Sequence, residues 1–260
     1  AASDVYKSQQ LTVRRKLVLY LFLCLINLQL LSQNEESMPD VSSENWLAGS
    51  FTYSINNKWK FSFQEQVRFK YTTNPLDRIL TQIELENSSK NKKENFQFDW
   101  GLAFRHYYKS NEVEPTSTLN QFTRFHYFTT YNWKFNRFKY EQRIQFQKRR
   151  ERFPDTNKHV GEVRKYWRLK SSFAYNIKNW KLDPKLGIEF FLRSFDHPSG
   201  QHNKYRISLG TKKKLSKNHY LVFKYMYEKE YKSWNPNVVH MFCIKYNFKK
   251  ANYTKKFKEE

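Results

Sequence analysis

Arginine and carboxylate side chains recur along this chain at one parity of a period-two pattern: Arg68, Arg105, Arg124, Arg143, Arg168, Arg193 and Arg206, with Glu84, Asp99, Glu141, Glu189 and Glu228. Two kinds of chemistry suit such a set. Opposite charges on facing strands can form a ladder of ion pairs that fills a narrow interior. A surplus of arginine can instead form a basic constriction that selects anions. Nucleophilic chemistry has weaker support. His197-Pro198-Ser199 places a histidine two residues before a serine, but in a polar stretch beside Gly200 where nothing orients a base. His106 and His126 fall near strand ends and are expected at a membrane interface or in a lumen, and His240 is expected to face lipid. No His or Cys pair has metal-ligand spacing. No catalytic residue, metal site or cofactor is therefore expected, and the chain is read as a non-enzyme.

The elements that carry these charges are strands. Phe96, Phe98, Trp100, Leu102 and Phe104 alternate with Gln97, Asp99, Gly101, Ala103 and Arg105, which is the signature of a strand with one apolar face. The same alternation returns in Phe138, Tyr140, Ile144 and Phe146, in Trp167, Leu169, Phe173 and Tyr175, in Leu221, Phe223, Tyr225 and Tyr227, and in Phe242, Ile244, Tyr246 and Phe248. No stretch has a convincing helical period. Eleven strands can be counted, near 45–55, 59–70, 78–87, 95–108, 119–131, 136–147, 163–176, 180–193, 203–214, 219–230 and 238–248. Single-chain bacterial barrels have even strand numbers, so about twelve are expected, with ten as the alternative.

Joints between the strands alternate in length. Short Asn/Lys turns lie near 56, 132, 178 and 217, and longer polar stretches occupy 70–77, 108–119, 148–162, 194–203 and 231–237. The connection at 87–94 is longer than its siblings. Trp59, Phe96, Trp133, Trp180 and Tyr220 each follow such a turn at intervals of 37, 37, 47 and 40 residues, so one hairpin is the repeating unit. Short turns on one side, long loops on the other and strands of about ten residues describe a transmembrane up-and-down antiparallel β-barrel. In a soluble sandwich the apolar faces would point inward. The five aromatics at one interface level favour the inverted arrangement, with an aromatic girdle outside and the polar set in the lumen. Glu65 and Gln142 then fall on the lipid-facing parity, and a β-bulge near Gln64 is expected to carry Glu65 inward. Cys243 is expected to face inward as a small buried side chain.

Composition agrees with export and a membrane location. The chain has 260 residues, 47 Lys+Arg against 24 Asp+Glu, a net charge of +23, and 18% aromatic residues at a mean hydropathy of −0.90. So many rings do not fit a disordered chain. Arg14, Arg15 and Lys16 precede the apolar run Leu17 to Leu31, with Ser32 and Gln33 as a cleavage point. This is the pattern of a secretory signal peptide, and the run is shorter than the ~20 residues of a spanning helix. The expected organisation is an upstream extension at 1–13, a signal peptide at 14–32, a lead-in at 33–44, the barrel at 45–248 and a basic tail at 249–260. Cys24 leaves with the leader, so no disulfide scaffold is expected. Basic charge with interleaved aromatics could bind nucleic acid, but the leader and the regular alternation speak against it. Lys, Asn, Phe and Tyr also share AT-rich codons, and Lys-rich loops suit anionic lipopolysaccharide better.

Three stretches give the chain a family resemblance. Trp59-Lys60-Phe61 runs through Arg68 to Leu76-Asp77-Arg78. Arg143-Ile144-Gln145-Phe146 leads to Tyr175-Asn176-Ile177-Lys178-Asn179-Trp180-Lys181-Leu182-Asp183-Pro184 and on to Glu189-Phe190, and Tyr205-Arg206-Ile207-Ser208-Leu209-Gly210 leads into Asn218-His219. With the final strand, these resemble the domain-of-unknown-function 2490 family over roughly 45–248. The resemblance implies an outer-membrane β-barrel of Gram-negative bacteria, and it supplies no catalytic residues. The terminal Tyr246-Asn247-Phe248 resembles the aromatic signal read by the barrel-assembly machinery, except that twelve residues follow it. The expected role is structural, or a small passive pore for anionic or polar solutes, in a monomer. A lipid-modifying enzyme is the alternative, and a soluble periplasmic β-protein a remote one.

Overall fold

The computed structural model describes residues 40–71, 75–91, 95–110, 119–152, 160–193, 203–231 and 236–251. The proposed leader, most of the lead-in, the His197/Ser199 pair and the tail beyond Ala251 lie outside the described residues. Eleven strands follow one another: β1 (Val41–Ser54), β2 (Trp59–Lys70), β3 (Leu76–Asn91), β4 (Phe96–Ser110), β5 (Leu119–Phe135), β6 (Phe138–Arg152), β7 (Val160–Tyr175), β8 (Asp183–Arg193), β9 (Asn203–Lys214), β10 (His219–Tyr231) and β11 (Val238–Ala251). Each pairs antiparallel with the next, and β1 pairs with β11 to close the barrel.

The expected step to twelve strands is corrected. The described residues form eleven strands, and the parity has a direct consequence for closure. In an up-and-down meander with an odd count the first and last strands run the same way. The closing pair must therefore be parallel, and it is, from Val41 opposite Val238 to Ser54 opposite Ala251. β1 thus begins at the end of the barrel that carries the long connections, and β11 finishes at the end that carries the short turns.

Most boundaries shift by a few residues from the alternation pattern, β1 starting at Val41 and β11 reaching Ala251, so that the barrel extends past 45–248 at both ends, and three shifts have a clear local reason. β3 continues through Asn87-Ser88-Ser89 to Asn91, opposite Phe96. These polar residues have no apolar alternation, but backbone pairing does not require one. The connection then shortens to 92–95. β5 runs on to Phe135, which pairs with Phe138 across Asn136-Arg137, and Asn136 takes the left-handed conformation (φ 46°) that asparagine tolerates. β8 starts at Asp183, because Asn179 (φ 63°) turns the chain and Trp180 N–H donates to the Ile177 carbonyl (3.1 Å). At the first turn, Asn56 Oδ1 accepts the N–H groups of Lys58 and Trp59, both at 2.8 Å. Asparagine is frequent in these turns because its side chain can stand in for a backbone acceptor.

The two faces of the wall are inverted relative to a soluble protein. Outward-pointing Phe125 is 62% exposed and Leu102 55%, whereas inward-pointing Leu80 and Met226 are each 1% exposed. Rings crowd the outside near the short turns: Trp59 against Trp100 (5.6 Å), Phe96 against Trp133 (5.9 Å), Phe138 against Tyr175 (4.7 Å) and Phe51 against Phe248 (5.7 Å). Trp59 and Phe96 open their strands as expected. Trp133 lies before its turn, at the end of β5, and Trp180 lies within its turn, but both are exposed and at the turn end. Tyr220 is the exception and is corrected. It pairs with Lys214 and Asn247, shares the inward parity of β10, and sits under Lys212 Nζ (4.4 Å).

Glu65 also departs from expectation. No bulge occurs at Gln64; the irregularity of β2 and β3 falls at Arg68/Phe69. Glu65 therefore remains on the outer wall, where Thr81 Oγ1 donates to it at 3.0 Å. Gln142, also outside, accepts from Tyr140 Oη (2.7 Å) and from Ser171. A polar group facing hydrocarbon is costly when unpaired, and both are paired sideways along the wall.

Candidate functional site

The register places the twelve charged residues of the sequence pattern on the inward face. Their partners divide the lumen into two halves of different chemistry.

In the half nearest the long connections, arginine planes lie on rings. Arg68 stacks over Trp46 (3.7 Å), which also lies beneath Arg206 (5.4 Å), reaching from β1 to β9. Arg78 and Arg124 flank Tyr107 at 5.3 and 5.4 Å, and Arg124 also donates to the Tyr107 hydroxyl (3.4 Å). Tyr107 stacks on Phe122 at 4.9 Å, and Arg149 lies over Phe122 at 4.8 Å. Arg168 and Arg206 share Phe191 (4.6 and 4.9 Å). Cation–π contact is strongest where water is excluded, and here Tyr107, Phe122 and Leu80 are 4% exposed or less.

Arg168 and Arg206 are paired with acid. Arg168 donates to Glu189 from Nη2 (2.6 Å) and Nε (3.1 Å), and Arg206 reaches Glu189 at 3.6 Å. Arg206 also donates to Glu228 through Nε (2.9 Å) and Nη2, while Lys204 reaches the other oxygen at 2.5 Å. Glu189 and Glu228 thus each hold two cations. Arg105 instead donates to the Gln82 amide oxygen, through Nε (2.8 Å) and Nη2. Arg193 ends β8, and its backbone N–H donates to Asn203 Oδ1 (2.8 Å). Asp99 takes amide rather than cationic partners, Gln97 (2.7 Å) and Asn132 (2.8 Å).

Where the two halves meet, Arg143 crosses the interior from β6 to β3. Its Nη2 lies 4.0 Å from both Glu84 and Glu86, its Nε donates to Thr130 (3.0 Å), and its guanidinium covers Phe128 (4.1 Å). Phe128 is accommodated by a missing side chain: a Cβ on Gly101 would stand 2.5 Å from the Phe128 ring and 2.6 Å from the Leu85 carbonyl oxygen. His126, 6% exposed, is held through Nδ1 by Gln145 (2.8 Å).

Toward the short turns the interior opens. Two lobes of 630 and 470 Å³ share Lys170, Lys212 and Lys224. Lys245 donates to Gln64 across β1 (2.6 Å), Lys60 to Glu86 (2.7 Å), and Lys185 to Glu141 (2.9 Å), with Lys139 at 4.0 Å from the same acid. Lys249 lies 5.6 Å from the Tyr220 ring.

The sequence pattern omits two groups that define this lumen. The inward rings Trp46, Tyr107, Phe122, Phe128 and Phe191 break the polar rule of the inner face. The lysines sit at the inward parity of strands already read, Lys170 two residues after Arg168 and Lys224 four before Glu228. Strict counting along each strand would have found them.

Fold and lumen together define an outer-membrane-type closed β-barrel, packed in one half and open in the other. Residues 43–239 match the family described as protein of unknown function (DUF2490), and the chain belongs to that family. Among solved structures, the beta domain of the Bordetella autotransporter Brka is similar over 73% of this chain and 82% of that one, at 10% identity and a TM-score of 0.43. No curated protein matches the chain.

Proposed function

We propose that this protein is an integral, monomeric barrel of the bacterial outer membrane, structural and non-conducting at rest, with no reaction of its own. The observation that carries this reading is the burial of inward side chains around the wall. Trp46 on β1, Leu80 on β3, Tyr107 on β4, Phe122 and Phe128 on β5, Phe191 on β8, Met226 on β10 and Met241 on β11 are all 8% exposed or less. An open water-filled channel beside them would leave them wet. The exposed apolar wall suits acyl chains, and short turns toward the periplasm with long loops toward lipopolysaccharide follow the usual orientation. Insertion by the barrel-assembly machinery goes with that location. The histidines have partners that suit structure rather than catalysis: His126 with Gln145, and His240 with the Tyr225 hydroxyl (2.7 Å) on the outer wall.

The lysines of the turn-side half favour a second reading, passive passage of small anions, which requires the packed half to yield. Single-channel recording of the refolded protein in planar bilayers separates the two. Inserted but silent barrels are expected. Steady anion-selective openings that weaken on neutralising Arg105 and Arg143 would overturn the first reading in favour of the second.

A further inference from the structure

The turn-side half of the lumen has more positive charge than its own residues neutralise. Eleven cationic side chains but only two carboxylates, Glu84 and Asp183, line its two lobes among the described residues. Glu84 faces Arg143, and Lys185 has Glu141. Lys170, Lys212 and Lys224, common to both lobes, have no carboxylate within 4.0 Å among the described residues. The reason lies in the register. Glu189 stands directly opposite Lys170 across the β7–β8 ladder, but Arg168 and Arg206 hold it. Lys224 stands opposite Gly210 and Cys243, neither of them acidic. Like charges confined in a low-dielectric cylinder repel strongly, and a counter-anion relieves that repulsion.

We propose that this half of the lumen is a binding site for a soluble, multiply charged phosphate compound, admitted from the short-turn end. The two lobes match the volume of small-molecule sites, ~300–1,000 Å³, and are far larger than a chloride needs. Lysine ammonium groups act as mobile point charges suited to phosphate oxygens. Converging from β7, β9 and β10, they can share one polyanion. Ser50, Thr52 and Ser62 supply neutral hydroxyls on the facing strands. The lysines lie on the face away from acyl chains, so the ligand is a solute rather than a membrane lipid. Binding there does not depend on whether the barrel conducts.

Titration calorimetry of the refolded full chain with tripolyphosphate tests the site. Saturable binding is expected, weakened about tenfold or more by Lys224→Gln, in line with loss of a charge-assisted hydrogen bond, and further by adding Lys170→Gln. Lys148→Gln, on the outer wall, should leave it unchanged. Should the lumen variants fail to fold, the native chain still decides: tripolyphosphate should protect Lys170, Lys212 and Lys224 from an acetylating reagent, read by mass spectrometry, and leave Lys148 reactive. Absence of saturable binding, equal loss in Lys148→Gln, or no selective protection of the three lysines would overturn the proposal.

Discussion

The two halves of the lumen use the same charge for opposite ends. Toward the long connections the cations are mainly arginines, joined by Lys204, laid on Trp46, Tyr107, Phe122 and Phe191 and clamped by Glu189 and Glu228. Toward the short turns they are lysines, spread around empty space with few acids between them. The side chains explain the division. A guanidinium is planar, weakly hydrated and able to stack and bridge at once, whereas an ammonium is compact, strongly hydrated and mobile. Arginine with aromatics can fill a barrel; lysine alone cannot. The packed half therefore crowds the interior with buried rings, and the open half leaves a basic recess lined by lysines.

The largest effect should come from stripping an acid from the packed half. Glu228→Ala leaves Arg206 and Lys204 without their shared carboxylate, and removing one partner of a buried pair costs ~3–5 kcal/mol. Urea unfolding in lipid vesicles should show that loss as a lower midpoint. Trp46→Ala removes the ring that links Arg68 to Arg206 across the interior. A destabilisation of about 3 kcal/mol is expected for truncating a buried tryptophan, and the void should admit measurable current in a bilayer where the parent is silent. Gly101→Ala acts where the halves meet, forcing Phe128 from its seat, at a cost of about 1–3 kcal/mol. The smallest effect belongs to the open half. Lys224→Gln in the absence of ligand should cost nothing, leaving the urea midpoint unchanged or raised, because it removes repulsion and breaks no pair. A large destabilisation by Lys224→Gln would mean that the lysine half is packed after all.

Much of this architecture is legible in the sequence, because a barrel wall is made of simple alternation. The period-two runs from Phe96, Phe138 and Phe242 assign both faces, and the turn asparagines mark the hairpins. What escapes the pattern is backbone pairing without apolar contrast, as in Ser88 to Asn91, and turns whose exact residues depend on a positive φ at Asn136 or Asn179. The alternation itself marks eleven strands, and only the even-number rule for single-chain barrels points away from eleven. Inward charges are legible by parity. Their partners are not, because pairing depends on the exact register, which sets Arg206 opposite both Glu189 and Glu228, and on contacts across the lumen such as Arg143 with Glu84. The same holds for Tyr220, whose sequence spacing matches the outer girdle although its register turns it inside.

If the barrel is non-conducting as proposed, its lumen opens only toward the short turns. A single probe tests it: Ser62→Cys, which lines the open half, in a chain whose Cys24 and Cys243 are replaced by serine. In vesicles carrying the barrel in one orientation, an impermeant anionic thiol reagent should label Cys at this position rapidly from the short-turn side and hardly at all from the long-loop side. Equal labelling from both sides would contradict the account, since it would mean that the arginine and aromatic packing does not close the barrel.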